Sequence, residues 1–342
     1  MRIVLSIVCA GLLAAVAGCG GSSPSQSSGA SSSSSASASA SPGAKVSGTA
    51  NVAYASSLEY LNEKMASPAF KSATGAGYSG TGNTSGTLEQ EILSGEISPN
   101  VFEAVGGDNI TPLEPKFTKW YVQYAGTSMV LAYNPKSKYA SQFEAIANGK
   151  KPMKDLFTLL QTPGLKLGRT DPATDPQGRD FIMMLELAQS YYHLPGDTVS
   201  KILGTSDLAS SDSSEIYAES SLDSTLQSGQ LDASSAFISQ AVQLHLHYIK
   251  LPTAIDLGSF SDAAQYKKAS LTVAGKTYHG EPQVIDITTI GTPTPASEAF
   301  VAYTLSPAGL ATYKKGGFSM IKPTLFGDKS AVPKPILSEL GG

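Results

Sequence analysis

Three short polar segments in this chain have the residue types of a hydrogen-bond-donor site. They are Ser56-Ser57, with Leu58 following, then Asn83-Thr84-Ser85, then Asp175-Pro176-Gln177. Each stands just ahead of a stretch that can be helical. A helix start has free backbone N–H groups and a partial positive charge, so it suits an anion. Serine and threonine hydroxyls add donors. Ser, Thr and Asp are also favoured helix caps, and each segment alone reads as capping. Three of them converging on a cleft would form a dehydrated anion site with no lysine in it.

Two carboxylates bear on what such a site could hold. Asp175 precedes Pro176, a cap followed by a first-turn proline. Glu219 opens a helical stretch that runs to Gly229. Each alone complements a helix dipole. Against the oxygens of an anion both would repel. Against a large, hard, high-valent metal atom they could act as oxygen ligands and expand about four oxygens to about six. The sulfur of sulfate and the phosphorus of phosphate offer no such coordination.

Other chemistries find less support. His245 and His247 alternate along an expected strand and share a face, but no further metal ligands occur at fitting spacing, and His193 and His279 stand apart. There is no Gly-flanked nucleophile and no P-loop, so an enzyme is not expected, nor is a cofactor. The net charge of −4 gives no basic footprint for nucleic acid. The only two cysteines, Cys9 and Cys19, lie near the N-terminus, so the rest of the chain has neither a disulfide framework nor a thiol site.

The elements that must position these residues follow from the pattern. Arg2 and the short apolar run Ile3 to Ala17 form a leader ending in Val16-Ala17-Gly18-Cys19. Gly20 to about Gly48 is almost all Ser, Ala and Gly and cannot bury enough surface to fold, so it reads as a tether. From Thr49 onward, strand and helix patterns alternate, which predicts an α/β sheet with ligand loops at strand ends. Strands are expected at Asn51–Ala55, Val101–Ala104, Trp120–Tyr133, Leu165–Thr170, Ala233–Ile238 and His245–Leu251, with Thr272–Tyr278 and Gln283–Ile290 extended about a polar turn. Helices are expected at Leu58 to Phe70, ending near Pro68, and at Leu88–Leu93, Asp155–Leu160, Phe181–Tyr192, Glu219–Gln227, Ala296–Leu305 and Ala308–Tyr313. Gly77 to Gly86 reads as a glycine-rich loop. A folded part of roughly 290 residues usually divides into two lobes.

Several stretches are similar to the molybdate/tungstate-binding proteins of ABC importers. They are Ala55-Ser56-Ser57-Leu58, the run from Trp120 to Tyr133, the most specific run Gly168 to Gly178 (GRTDPATDPQG) and, more loosely, Gly275 to Ile285. The leader's end likewise resembles a lipobox, which implies diacylation of Cys19. The resemblance implies a two-lobed periplasmic-binding-protein fold of the flytrap type, with two crossing segments as hinge. The expected boundaries are a signal peptide at 1–18, a tether at 19–48, lobe one from 49–131 and 286–342, and lobe two from 132–285. It implies ligand contacts at Ser57, Leu58 and Ser85 in the first lobe, and at Asp175, Pro176 and Gln177 in the second. It further implies Asp175 and Glu219 as ligands of the oxyanion's metal centre. The family's tyrosine falls at Phe237, which has no hydroxyl. The implied function is extracytoplasmic capture of molybdate or tungstate by a lipid-anchored monomer for a permease and its ATPase. The alternatives are a sulfate-like oxyanion, a small organic acid or, further off, an enzyme on the same fold.

Overall fold

The computed structural model describes residues 45–341; the leader, Cys19 and most of the tether lie outside the described residues. Ahead of the first strand, the Val46 N–H already donates to the Thr74 carbonyl at 3.0 Å.

Two sheets organise the chain. The first contains β1 (Thr49–Ala55), β2 (Gly77–Asn83), β3 (Val101–Val105), β4 (Trp120–Gly126), β11 (Val284–Thr289) and β12 (Ser319–Gly327), in the order β12-β4-β11-β3-β1-β2. The second has the order β6-β7-β5-β8, built from β5 (Met129–Tyr133), β6 (Leu167–Gly168), β7 (Ala233–Phe237) and β8 (His247–Lys250). A separate hairpin joins β9 (Ser270–Val273) to β10 (Lys276–His279). Every residue of β3, β5, β7 and β11 is buried, the polar Glu103, Ser234, Ser235 and Asp286 included. The mixed α/β architecture expected from the sequence is the one observed.

The chain passes between the sheets twice. The outward passage is Thr127-Ser128, between β4 and β5, and the return reaches β11 at Val284. The two crossings lie side by side, since the Thr127 N–H donates to the Gln283 carbonyl at 3.1 Å.

Four local expectations need correction. Trp120–Tyr133 is two strands in different sheets, because Thr127-Ser128 carries the chain across. Gly77–Asn83 is the edge strand β2, parallel to β1, not a loop. Its glycines are required by packing: a Cβ on Gly80 or Gly82 would stand 2.7 Å from the Tyr54 ring. The helix expected to stop near Pro68 runs on to Thr74, since Pro68 enters in the first turn of helix Ser67–Thr74, where no N–H is required. A π-turn, Asn62–Ala66, precedes it. The hairpin turns at Ala274-Gly275, inside the segment read as continuously extended; both residues have positive φ, 49° and 83°.

One buried carboxylate fixes the start of this region. Glu103, on β3 and fully buried, accepts from the hydroxyls of Tyr124 and Tyr313 and from Asn62 Nδ2 at 2.7 Å. The helical stretch that leaves Ser57 is thereby tied to the centre of the first sheet.

Candidate functional site

On the first-sheet side, β1 runs directly into the turn Ser56–Leu58. Leu58 is fully buried in the core and anchors that turn, which holds Ser57 at the sheet's end. Ser85 is the first residue of helix Ser85–Ser94, whose cap Thr84 accepts from the Thr87 N–H at 3.3 Å. The Ser85 Oγ accepts from the Val105 N–H at 3.1 Å. That bond uses an oxygen lone pair and leaves the hydroxyl proton to donate elsewhere.

On the second-sheet side, Asp175 caps helix Pro176–Tyr191 and its Oδ1 accepts from the Gln177 N–H at 2.9 Å. Its Oδ2 is buried without a hydrogen-bond partner. Glu219 starts helix Glu219–Gln227 and is 5% exposed. Its Oε1 accepts from Gln177 Nε2 at 3.1 Å and from Gln240 Nε2 at 2.8 Å. The Gln240 Oε1 in turn accepts from Gln177 Nε2 at 2.7 Å and from the Phe237 N–H at 2.9 Å, while the Gln177 Oε1 accepts from Ser235 Oγ at 2.9 Å. Each amide is therefore held in one orientation, and one oxygen of Glu219 is fully engaged. Burial pushes Asp175 up to about 6, against the opposing pull of the Gln177 N–H. Burial, and then the charges of Asp175 and Asp223, hold Glu219 well above the usual carboxylate range.

Ser57, Glu219 and Gln240 line one cleft of about 380 Å³, together with Glu59, Glu63, Lys64 and Asp223. The two halves also meet through a backbone contact. The Gly86 N–H, next to Ser85, donates to the carbonyl of Thr174, next to Asp175, at 3.2 Å. A Cβ on Gly86 would stand 2.6 Å from that oxygen, so only glycine permits the approach. Gln243 Nε2 donates to the Gly316 carbonyl at 2.7 Å and makes a second tie between the sheet systems.

The residues singled out from sequence are thus brought together unequally. Asp175, Gln177 and Glu219 share one hydrogen-bonded set, Ser57 shares the cleft with Glu219, and Ser85 reaches the Asp175 loop through Gly86. Pro176 instead borders a recess of about 30 Å³ on another flank, with Arg179 and Asp180. The Phe237 ring lies in the core, so only its backbone N–H enters the polar set. Gln240 and Ser235 were missed. Gln240 carried a readable signal: a glutamine three residues after the end of a strand, at the third position of helix Ile238–Gln243, reaches back to its own cap. Ser235 carried none, since one serine within a strand does not reveal its partner. Among the described residues no three His, Cys, Asp or Glu side chains gather as a metal-ion site, and no helix is long and apolar enough to cross a membrane.

Comparison with known proteins bears on the family and the fold. The chain is 30% identical over 243 residues to the molybdate/tungstate-binding protein WtpA of Pyrococcus abyssi, covering 65% of this chain and 67% of that protein. It is 31% identical over 169 residues to a putative ABC transporter molybdenum-binding protein of Haloferax volcanii, covering 49% and 50%. Among solved structures, the periplasmic molybdate-binding protein of Azotobacter vinelandii aligns with a TM-score of 0.51 at 16% identity, over 79% of this chain and 99% of that one. The sulfate-binding protein SubI of Mycobacterium tuberculosis aligns with a TM-score of 0.51 at 12% identity, over 87% and 96%. At such identities the structures speak for the fold alone. The model of the bacterial extracellular solute-binding proteins matches residues 50–319, and the chain belongs to that family.

Proposed function

We propose that this chain captures molybdate or tungstate outside the cytoplasm and delivers it to an ABC permease driven by its ATPase. The observation that carries the reading is the pairing of two buried carboxylates in one hydrogen-bonded set, with an oxygen of Asp175 left unpartnered. A buried carboxylate oxygen with no donor is costly, and an electrophilic metal atom supplies what it lacks. The hydroxyls of Ser57 and Ser85 supply donors for the oxyanion's own oxygens. Leu58 and Pro176 shape the backbone that presents these groups. The chain's similarity to proteins named for molybdate and tungstate supports the same ligand class. The crossings near Thr127 and Gln283 act as the hinge between the two lobes. Diacylation at Cys19, after removal of the leader, holds the monomer at the outer face of the membrane, where two acyl chains suffice for stable anchoring.

A second reading keeps the fold and replaces the ligand by sulfate or another oxyanion. Phe237 favours it, because its buried ring offers no hydroxyl to a larger ligand. Thermal denaturation with molybdate, tungstate and sulfate separates the two. A ligand at about 100 times its Kd adds about 2.7 kcal/mol of stability. The proposal expects Tm to rise with molybdate and tungstate; a rise with sulfate alone supports the second reading. Membrane fractionation tests the anchor: Cys19→Ala should release the protein, and unchanged membrane partitioning contradicts it.

A further inference from the structure

We propose that Arg169 and Glu215, which touch no ligand, are the positioning pair that sets the spacing of Asp175 and Glu219. The proposal rests on the functional reading above and names what keeps that site in shape. Arg169 is the largest fully buried side chain described, at 0% exposure. All three of its side-chain nitrogens lack a hydrogen-bond acceptor. A buried guanidinium without compensation is among the most costly groups a fold can contain. Among the described residues its one ion-pair partner is Glu215, whose Oε2 lies 3.8 Å from Nε and has no hydrogen bond of its own.

The pair sits where the two carboxylate-bearing segments touch. The Arg169 N–H donates to the Glu215 carbonyl at 2.8 Å, and the Tyr217 N–H donates to the Arg169 carbonyl at 3.0 Å. Arg169 and Ile216 thereby form a parallel bridge at the end of β6. Downstream of Arg169 the chain passes the buried, unpartnered Thr170 Oγ1 and reaches Asp175; downstream of Tyr217 it reaches Glu219. One side-chain attraction, added to a two-bond ladder, therefore ties both routes into the site. Among the described residues no other strand pairs with the Glu215–Tyr217 segment. Supporting groups of this kind often govern how well a metal centre is gripped. A ligand that uses both carboxylates is sensitive to their spacing. A ligand bound only through helix N–H groups and serine hydroxyls is not.

The test uses the full-length protein with Glu215→Gln, a near-isosteric change at a side chain 21% exposed, and with Arg169→Lys as the variant that keeps the charge. Molybdate affinity by calorimetry, the Tm and amide hydrogen exchange at Tyr217 are read together. Glu215→Gln should bind molybdate about tenfold more weakly while folded, with Arg169→Lys losing less. Exchange at Tyr217 should quicken in Glu215→Gln. A lower Tm with unchanged molybdate affinity would make the pair merely structural and overturn the proposal. Should wild type bind no molybdate, the functional reading fails, and exchange still decides the pair: unchanged protection at Tyr217 overturns it too.

Discussion

The two halves of the site differ in how complete they are. On the first-sheet side three polar groups are engaged by the fold: Thr84 caps its helix, Ser85 binds the Val105 N–H, and Glu103 accepts from three donors. Buried unpartnered atoms occur on both sides, with Asn62 Oδ1 and both Asp286 oxygens on the first, but they are denser on the second, where they include Asp175 Oδ2, Thr170 Oγ1, Ser234 Oγ and the Arg169 guanidinium. Buried polar groups in folded proteins are nearly always paired, so a local excess of unpaired ones marks where the fold leaves work for something else. The first half is the more completely paired of the two. The second half is a set of buried carboxylates held in place by amides, which the proposed function completes with a ligand.

The most disruptive way to test that contrast is to remove a charge from the second half. Glu219→Gln should weaken molybdate and tungstate binding by about tenfold to a hundredfold, the equivalent of about 1–3 kcal/mol for a charged partner. Titration calorimetry measures it, and a sulfate site would show equal or better binding in the variant. Asp175→Asn should lose a similar amount, with about 1 kcal/mol of stability lost as well if the helix cap weakens.

The next effect falls at the contact between the halves. Gly86→Ala places a methyl group 2.6 Å from the Thr174 oxygen and must push the loops apart. With the hydrogen bond broken, affinity should fall about tenfold, close to the worth of one such bond. Unaltered affinity would show that the Gly86–Thr174 contact plays no part in the bound state.

A smaller loss is expected in the first half. Ser57→Ala removes one neutral donor and should cost about 0.5–1.5 kcal/mol of binding. A loss larger than that of Glu219→Gln would reverse the roles assigned to the two halves.

The smallest effect is a pH dependence of the unliganded protein. Burial raises Asp175 and Asp223 to about 6, above their unfolded range near 4. Each favours the folded state fully below about 4, and that contribution is lost as pH rises through about 6. Without ligand the Tm should therefore decline between pH 4 and about 7, as seen by scanning calorimetry, and bound molybdate should flatten the decline. A Tm that rises across this interval contradicts the burial of these groups as uncompensated acids.

Much of this was legible in the sequence where one residue acts on its immediate neighbours. Asp175-Pro176 announced a helix start because a cap and a first-turn proline act within one turn, and Glu219 to Gln227 read correctly as a helix from its spacing. The six-stranded order was not legible: β12 returns from the far end of the chain to pair with β4, and no local pattern encodes that partner. Gly80 and Gly82 looked like loop residues because their reason, the Tyr54 ring, lies on another strand. The cap role of Gln240 is legible three residues after its strand, but its bond to Glu219 and the Arg169–Glu215 pair lie in contacts that only the fold brings near.

The central claim is that Asp175 and Glu219 bind the metal atom of the oxyanion itself. X-ray absorption at the molybdenum or tungsten edge, on the loaded wild-type protein, reads that directly. The account predicts oxygen coordination expanded from about four toward about six, reverting on Glu219→Gln. An undistorted tetrahedral oxyanion with about four equivalent oxygens in the wild type would contradict it.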